Sequence, residues 1–307
     1  MGRHAAKRLL VSGPLLLLVV TAIFWAFQFI PGDPAQLYVG FDASRDTVEE
    51  VRRDLGLDKA SWVQYLAYLQ RLMRGDLGRS ITTRRPVTQE LAPRILATLK
   101  LSLASIVVAG TFGIALGSVA AARQRRIWDH FVRLITLVGI SVPVFWLGLM
   151  LSSLLSIKLR LLPSAGMGTW RHYLMPTVCL AVFSLAFIAR MTRSSLLDVI
   201  REDYIRTAQA KGVHEVRVIY WHALRNALVP ILIVVGLRFG YMLGGAVVTE
   251  AVFAWPGLGQ TLVTSVGQRD IPMVQGVLLF FAASFVLVNL AVDLLYGLLD
   301  PRIRYQR

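Results

Sequence analysis

Six long apolar runs, separated by charged connections, organise this chain. Residues 9–30 carry no charge, and a helix of that length reaches roughly 33 Å, enough to cross a bilayer. Runs of the same kind follow at about 101–122, 134–157, 172–190, 228–249 and 271–292. Pro143 predicts a bend inside the third, and Pro176 lies near the start of the fourth. The fifth is interrupted by Arg238. The pattern predicts an all-α, polytopic membrane protein with six transmembrane helices. A cleaved leader is the rival reading of the first run, but that run is too long and no Ala-x-Ala site follows it.

Between the first two runs the pattern changes. Residues 31–96 form a polar insert, with ten basic and nine acidic residues between positions 30 and 94. Asp46 and Glu49 read as a capping box, Val48, Val51 and Leu55 share one face, and Gly56 stops the helix. Residues 62–74 form a second amphipathic helix, GDLGRS (75–80) a turn, and 86–97 an interfacial helix lying along the bilayer. The insert is expected to be a small extracytoplasmic cap.

A second departure lies between the fourth and fifth runs: DVIREDYIRTAQAKGVHEVRVIYWHALRNALVP, residues 198–230. Good helix formers run to Lys211, and Gly212 then offers a helix stop that tolerates φ > 0. From 214 to 227 a second pattern places Val218, Trp221, His222 and Arg225 at helical spacing. Helix, glycine break and helix are therefore expected on one face of the membrane. Ala208 and Gly212, small and four apart, let a foreign surface approach that side of the first helix. Together with Tyr204, Tyr220 and Trp221 they favour a docking surface over a solvated loop that only fixes topology.

Composition agrees: 55% of residues are hydrophobic, 17% are charged, and the mean hydropathy is +0.59. The net charge of +15 would suggest nucleic acid in a soluble protein. Here Lys/Arg-rich cytoplasmic loops account for it, and no nucleic-acid partner is expected. Arginines crowd the second connection, the 198–230 loop and the tail, which places both termini and that loop in the cytoplasm. One cysteine, Cys179, excludes a disulfide or thiolate metal site within the chain, and no metal is expected. HExxH, GxSxG and GxxxxGK[ST] are absent, so neither catalytic residues nor a built-in ATPase is expected.

Glycines predict close helix packing at Gly113 and Gly117, and along a stripe of Gly236, Gly240 and Gly244. Arg238 lies two residues past Gly236 and so points away from that stripe. Glu250 and Asp293, at the ends of spans five and six, are expected at the interface. Residues 250–268 read as an external loop with a turn at Pro256, Gly257 and Gly259.

Seven motifs recur in one order: PGDP (31–34), GDLGRS (75–80), SVPVFWLG (141–148), LLPSAG (161–166), HALRNALVP (222–230), FAWPGLG (253–259) and VNLAVDLLYGLLDPRIR (288–304). Along nearly its whole length the chain resembles the B-type permeases of dipeptide and oligopeptide ABC importers. The 198–230 loop resembles the EAA loop that docks on the ATPase. Anchored on Gly212, the EAA positions are Arg206, Thr207 and Ala208, of which only Ala208 agrees; further on, Leu224 agrees while His222 and Asn226 do not. That departure is usual in peptide permeases.

The resemblance implies a type I ABC importer permease fold. Residues 1–30 would hold the first span, 97–300 the permease core with a coupling loop at 198–227, and 301–307 a cytoplasmic tail. Glu202, Asp203, Tyr204, Arg206, Thr207, Ala208, Lys211 and Gly212 would meet the ATPase. The partners implied are a second permease, two ATPase subunits or one fused chain, an extracytoplasmic solute-binding protein and the lipid bilayer. No cofactor belongs to this chain; ATP and Mg belong to the ATPases. The place is the bacterial inner membrane and the cargo a di- or oligopeptide, with nickel or another small solute, or an ion-coupled secondary transporter, as alternatives. For Arg238 two readings stay open: lining the path to meet a peptide carboxylate, or pairing structurally with an acid on a partner. For Phe253 and Trp255 they are contact with the binding protein and anchoring at the interface.

Overall fold

Among the described residues, five long apolar helices and one sharply bent pair make up the bundle. The computed structural model describes residues 2–29, 33–40, 43–54 and 56–299. Pro31 of the PGDP motif, Leu55 and the 301–307 tail lie outside the described residues.

Helix α1 (Gly2–Gln28) stands at the margin and packs mainly on the last helix. The insert contributes α2 (Pro34–Val39), α3 (Arg45–Asp54) and α4 (Ser61–Met73). Ser44, not an Asp46–Glu49 box, starts α3: its Oγ accepts from Thr47 N at 3.3 Å, while Glu49 pairs with Arg52. Tyr65 shares a 2.6 Å hydrogen bond with Thr21 and, with Tyr68, packs on Phe24, which ties α4 to α1. Burial there pushes the Tyr68 phenol up to about 12. A cavity of about 650 Å³ lies between α4, the end of α1 and residues 271–275.

Helix α5 (Val87–Ala122) is continuous over 36 residues. The separate interfacial helix expected over 86–97 is instead its first third. The apolar face that suggested a lipid surface is covered by protein, with Val87 and Leu91 buried against Leu258, Met273 and Val277. At its other end α5 lies against α8 (Trp170–Ile200) through Gly113 and Gly117. A Cβ on Gly113 would meet Ile188, and one on Gly117 would run into Ala189 O and Thr192. Gly117→Ala should therefore lower the thermal stability of the detergent-solubilised protein by about 1–3 kcal/mol. An unchanged midpoint would show that α5 and α8 separate without cost.

The third span departs most from expectation. Helix α6 (Ile127–Ser141) begins seven residues before position 134 and carries Asp129 and Arg133. It holds these charges because they pair with each other, at 3.2 Å, and Asp129 pairs with Arg193 of α8, at 2.7 Å. At Val142–Pro143 the chain breaks, and α7 (Val144–Leu151) leaves at 99° before ending in a π-helical segment, Ser152–Lys158. The bend at Pro143 is a near right angle.

Beyond α8 come α9 (Asp203–Ala210), α10 (Glu215–Arg217), a π-helical segment (Val218–Ala223) and α11 (Leu224–Val252). Residues 258–267, expected as loop, form α12 (Leu258–Gly267), and α13 (Ile271–Leu299) closes the bundle. Asp270 joins this region to the insert: its carboxylate accepts from Ser80 Oγ, from Ile81 N at 3.1 Å and from Met273 N at 3.3 Å. The main core is formed by α5, α8, α9 and α11, around residues such as Leu101, Ile188, Leu196, Ile205 and Ile231.

Candidate functional site

The candidate site residues fall into three groups, starting with the segment between α8 and α11. Gly212 takes φ +78° and breaks α9 from α10, a conformation that penalises any residue with a Cβ. Ile205 is fully buried and pins α9 to the core, with Ala208 and Val213 packed beside it. Ala208 is half-buried against that core, while Gly212 is exposed, with nothing within 4 Å of the position a Cβ would take among the described residues. Glu202 and Asp203 open α9, Arg206 Nη1 lies 3.6 Å from Asp203 Oδ1, and Thr207 Oγ1 donates to Asp203 O. Lys211 and Gly212 are exposed beyond its end.

The second helical pattern of this loop is the start of span five. Val218, Ile219 and Ala223 turn inward, while Tyr220 and Trp221 turn out. Val218 and Trp221 therefore do not share a face, because the π-helical turn widens the spacing that a 3.6-residue period assumes. Tyr204, Val216, Tyr220 and Trp221 are all exposed, and Tyr204 Oη accepts from Asn226 Nδ2 at 2.7 Å, which joins α9 to α11. These four large side chains form an exposed cluster on one short segment.

The second group lies on α11. Gly236 packs against Val292, and Gly240 against Val288 and Phe285 of α13. Gly244 meets nothing within 4 Å among the described residues, so the packed stripe stops at Gly240. Arg238 points the other way, towards α8. Its Cζ lies 3.6 Å from the Phe187 ring centroid, 5.7 Å from that of Phe183 and 5.6 Å from that of Tyr241. Stacking on ring faces stabilises a guanidinium that has left bulk water. Arg190 Cζ lies 4.9 Å from the same Phe187 ring.

The third group is at the opposite end of α11. Glu250, expected at the interface, is fully buried. Its carboxylate accepts from Thr98 Oγ1 at 2.6 Å, Gly259 N at 2.7 Å and Gln260 N at 3.3 Å, so it caps α12. Gly257 and Gly259 are needed here: a Cβ on either would overlap Glu250 or the Val247 backbone. Phe253 and Trp255 are buried as well. Trp255 donates from Nε1 to Ala97 O at 3.2 Å and meets Tyr173 edge-on at 4.6 Å. Neither side chain is available to a binding protein or to the bilayer interface. Both were misread because an aromatic–proline–glycine segment looks the same whether it turns outward or folds back.

Residues 113–305 match the family described as "Binding-protein-dependent transport system inner membrane component", and residues 1–102 match its N-terminal counterpart. The chain belongs to this family. It is 44% identical over 303 residues, 99% of both chains, to the glutathione transport system permease protein GsiC of Escherichia coli (strain K12). It is 45% identical over 300 residues, 98% of both chains, to that of Pectobacterium atrosepticum. A structure of the MetNI methionine ABC transporter superposes with a TM-score of 0.60 at 20% identity, covering 69% of this chain and 97% of that one. The chain is thus an ABC importer permease with the type I fold, a multi-pass inner-membrane subunit and not an enzyme. Permeases of this family work with a partner permease, an ATPase and a binding protein.

Proposed function

We propose that this permease forms half of the path for short peptides, with glutathione, itself a tripeptide, as the first candidate cargo. The observation that carries the cargo is similarity to glutathione permeases over essentially the whole chain. A second permease, two ATPase domains holding ATP and Mg, and an extracytoplasmic binding protein complete the importer. Both termini and α9 face the cytoplasm, in line with the arginines of the 123–133 and 190–225 connections.

In this reading the face made by Glu202, Asp203, Tyr204, Arg206, Thr207 and Lys211, extended by Val216, Tyr220 and Trp221, receives the ATPase. Ile205 and Ala208 pass its displacement to the core. A short helix between two bends, keyed to the bundle by a buried residue, moves as a rigid piece.

Cargo is tested by ATP-driven uptake of labelled glutathione into proteoliposomes of the complete importer, with competing unlabelled dipeptide or nickel ion. Competition by the dipeptide supports a general short-peptide path. No ATP-driven uptake of labelled glutathione, with labelled nickel ion taken up instead, would overturn the peptide cargo.

Arg238, held on aromatic faces and partly exposed, meets the peptide carboxylate in transit. Arg238→Gln removes a charge-assisted hydrogen bond and should cut uptake by roughly ten- to a hundredfold, at constant complex, through about 1.5–3 kcal/mol. Equal uptake by the variant would remove Arg238 from the path and leave it as a packing residue.

A further inference from the structure

Asp129 is fully buried near the start of α6, and no role assigned above uses it. Its carboxylate collects four donors. Arg193 of α8 gives two, Nε at 2.7 Å and Nη2 at 2.9 Å, in the two-point fork that fixes a guanidinium against a carboxylate. Arg133 Nη2 gives a third at 3.2 Å, and Arg125 N a fourth at 3.0 Å. Arg125 has φ +62°, so the short connection between α5 and α6 is held in a conformation that a non-glycine residue rarely adopts. One carboxylate therefore fastens that connection, α6 and α8.

Stability alone is a weak account of such a group. Well-packed apolar residues commonly replace a buried ion pair at no loss, whereas removing one partner is costly. The pair adds direction to the packing of Gly139 of α6 on Val182 and Ala186 of α8: two parallel hydrogen bonds fix the guanidinium against the carboxylate. Its place gives that constraint a use. From Arg193, α8 continues for two turns to Ile200 and then leads into α9. At its other end α6 breaks at Val142–Pro143, and α7 seats Gly148 against Val252, Phe253 and Cys179. Between these attachments α6 turns Trp128, Phe131, Leu134 and Leu137 outward.

We propose that the Asp129–Arg193 pair is the joint through which displacement of α9 and the end of α8 turns α6, with the Pro143 break as its hinge. Asp129 is a positioning residue in this scheme, acting on the transport cycle through Arg193. The proposal rests on the reading of α9 as the ATPase-facing element.

The test is the amount of solute imported per ATP hydrolysed, measured on the reconstituted importer with labelled glutathione. Asp129→Asn keeps the size and loses the charge. Uptake should fall about tenfold while hydrolysis persists, so the ATP spent per solute rises by the same factor. Arg193→Lys keeps the charge but not the fork, and should raise that ratio in the same direction; it decides the matter if Asp129→Asn fails to assemble. A wild-type ratio in the assembled variant would overturn the proposal, and so would a parallel loss of uptake and hydrolysis. Retention of the ATPase by both variants on purification separates this outcome from a failure of the docking surface, which would release the ATPase.

Discussion

Trp221→Glu should release the ATPase from the purified importer and abolish uptake, while the permease still folds. Trp221 is 69% exposed; Val216 is 56% exposed and Tyr204 and Tyr220 are each 44% exposed, so four large side chains are free for a partner on one short segment. Such residues dominate contacts when a partner covers them, each hot spot contributing at least about 2 kcal/mol, or roughly thirtyfold in affinity. Glutamate adds a charge that must be desolvated on docking, so the loss should exceed that of alanine. Folding should be spared because the inward residues Ile205, Val218, Ile219 and Ala223 are untouched. Lys211→Gln, at the exposed end of α9, is a milder comparison. An interfacial Trp would leave the ATPase attached after substitution, and co-purification at wild-type stoichiometry would establish that alternative.

Glu250→Ala should be the most damaging single change to the fold at the other end of α11. The carboxylate satisfies Thr98 Oγ1, Gly259 N and Gln260 N, and Thr98 Oγ1 in turn accepts from Leu258 N at 2.8 Å. Alanine leaves these donors without that acceptor at a site where Thr98 and Gly259 are buried. At about 1–3 kcal/mol for each buried unsatisfied group, the total exceeds about 3 kcal/mol. A lower unfolding temperature in detergent and a smaller yield of assembled importer should follow. Glu250→Gln retains one acceptor oxygen and should lose less. An alanine variant as stable as wild type would mean that α12 needs no cap from α11.

The spans were legible because lipid imposes one pattern that packing cannot disguise: uncharged runs of bilayer length. Gly212 was legible too, since a helix that must break there needs φ > 0. Amphipathic segments were not. The apolar face of 86–97 fits lipid and protein equally well, and only Leu258 and Met273, far along the chain, decide between them. Buried charges failed for the same reason: Asp129 and Arg193 are 64 positions apart, and Glu250 and Thr98 are 152 apart. A lone acid near a span end reads as interfacial until its distant partner is known. Ala208 shows a further ambiguity: a small residue reads as room for a partner, yet it is half-buried against the chain's own core.

The most direct test of ATP-driven import is the accumulation of labelled glutathione in proteoliposomes of the whole importer, with and without ATP on the side that α9 faces. Accumulation that needs both ATP and the binding protein, and that disappears with Trp221→Glu, is the predicted result. Accumulation without ATP, following a proton or sodium gradient, would contradict it.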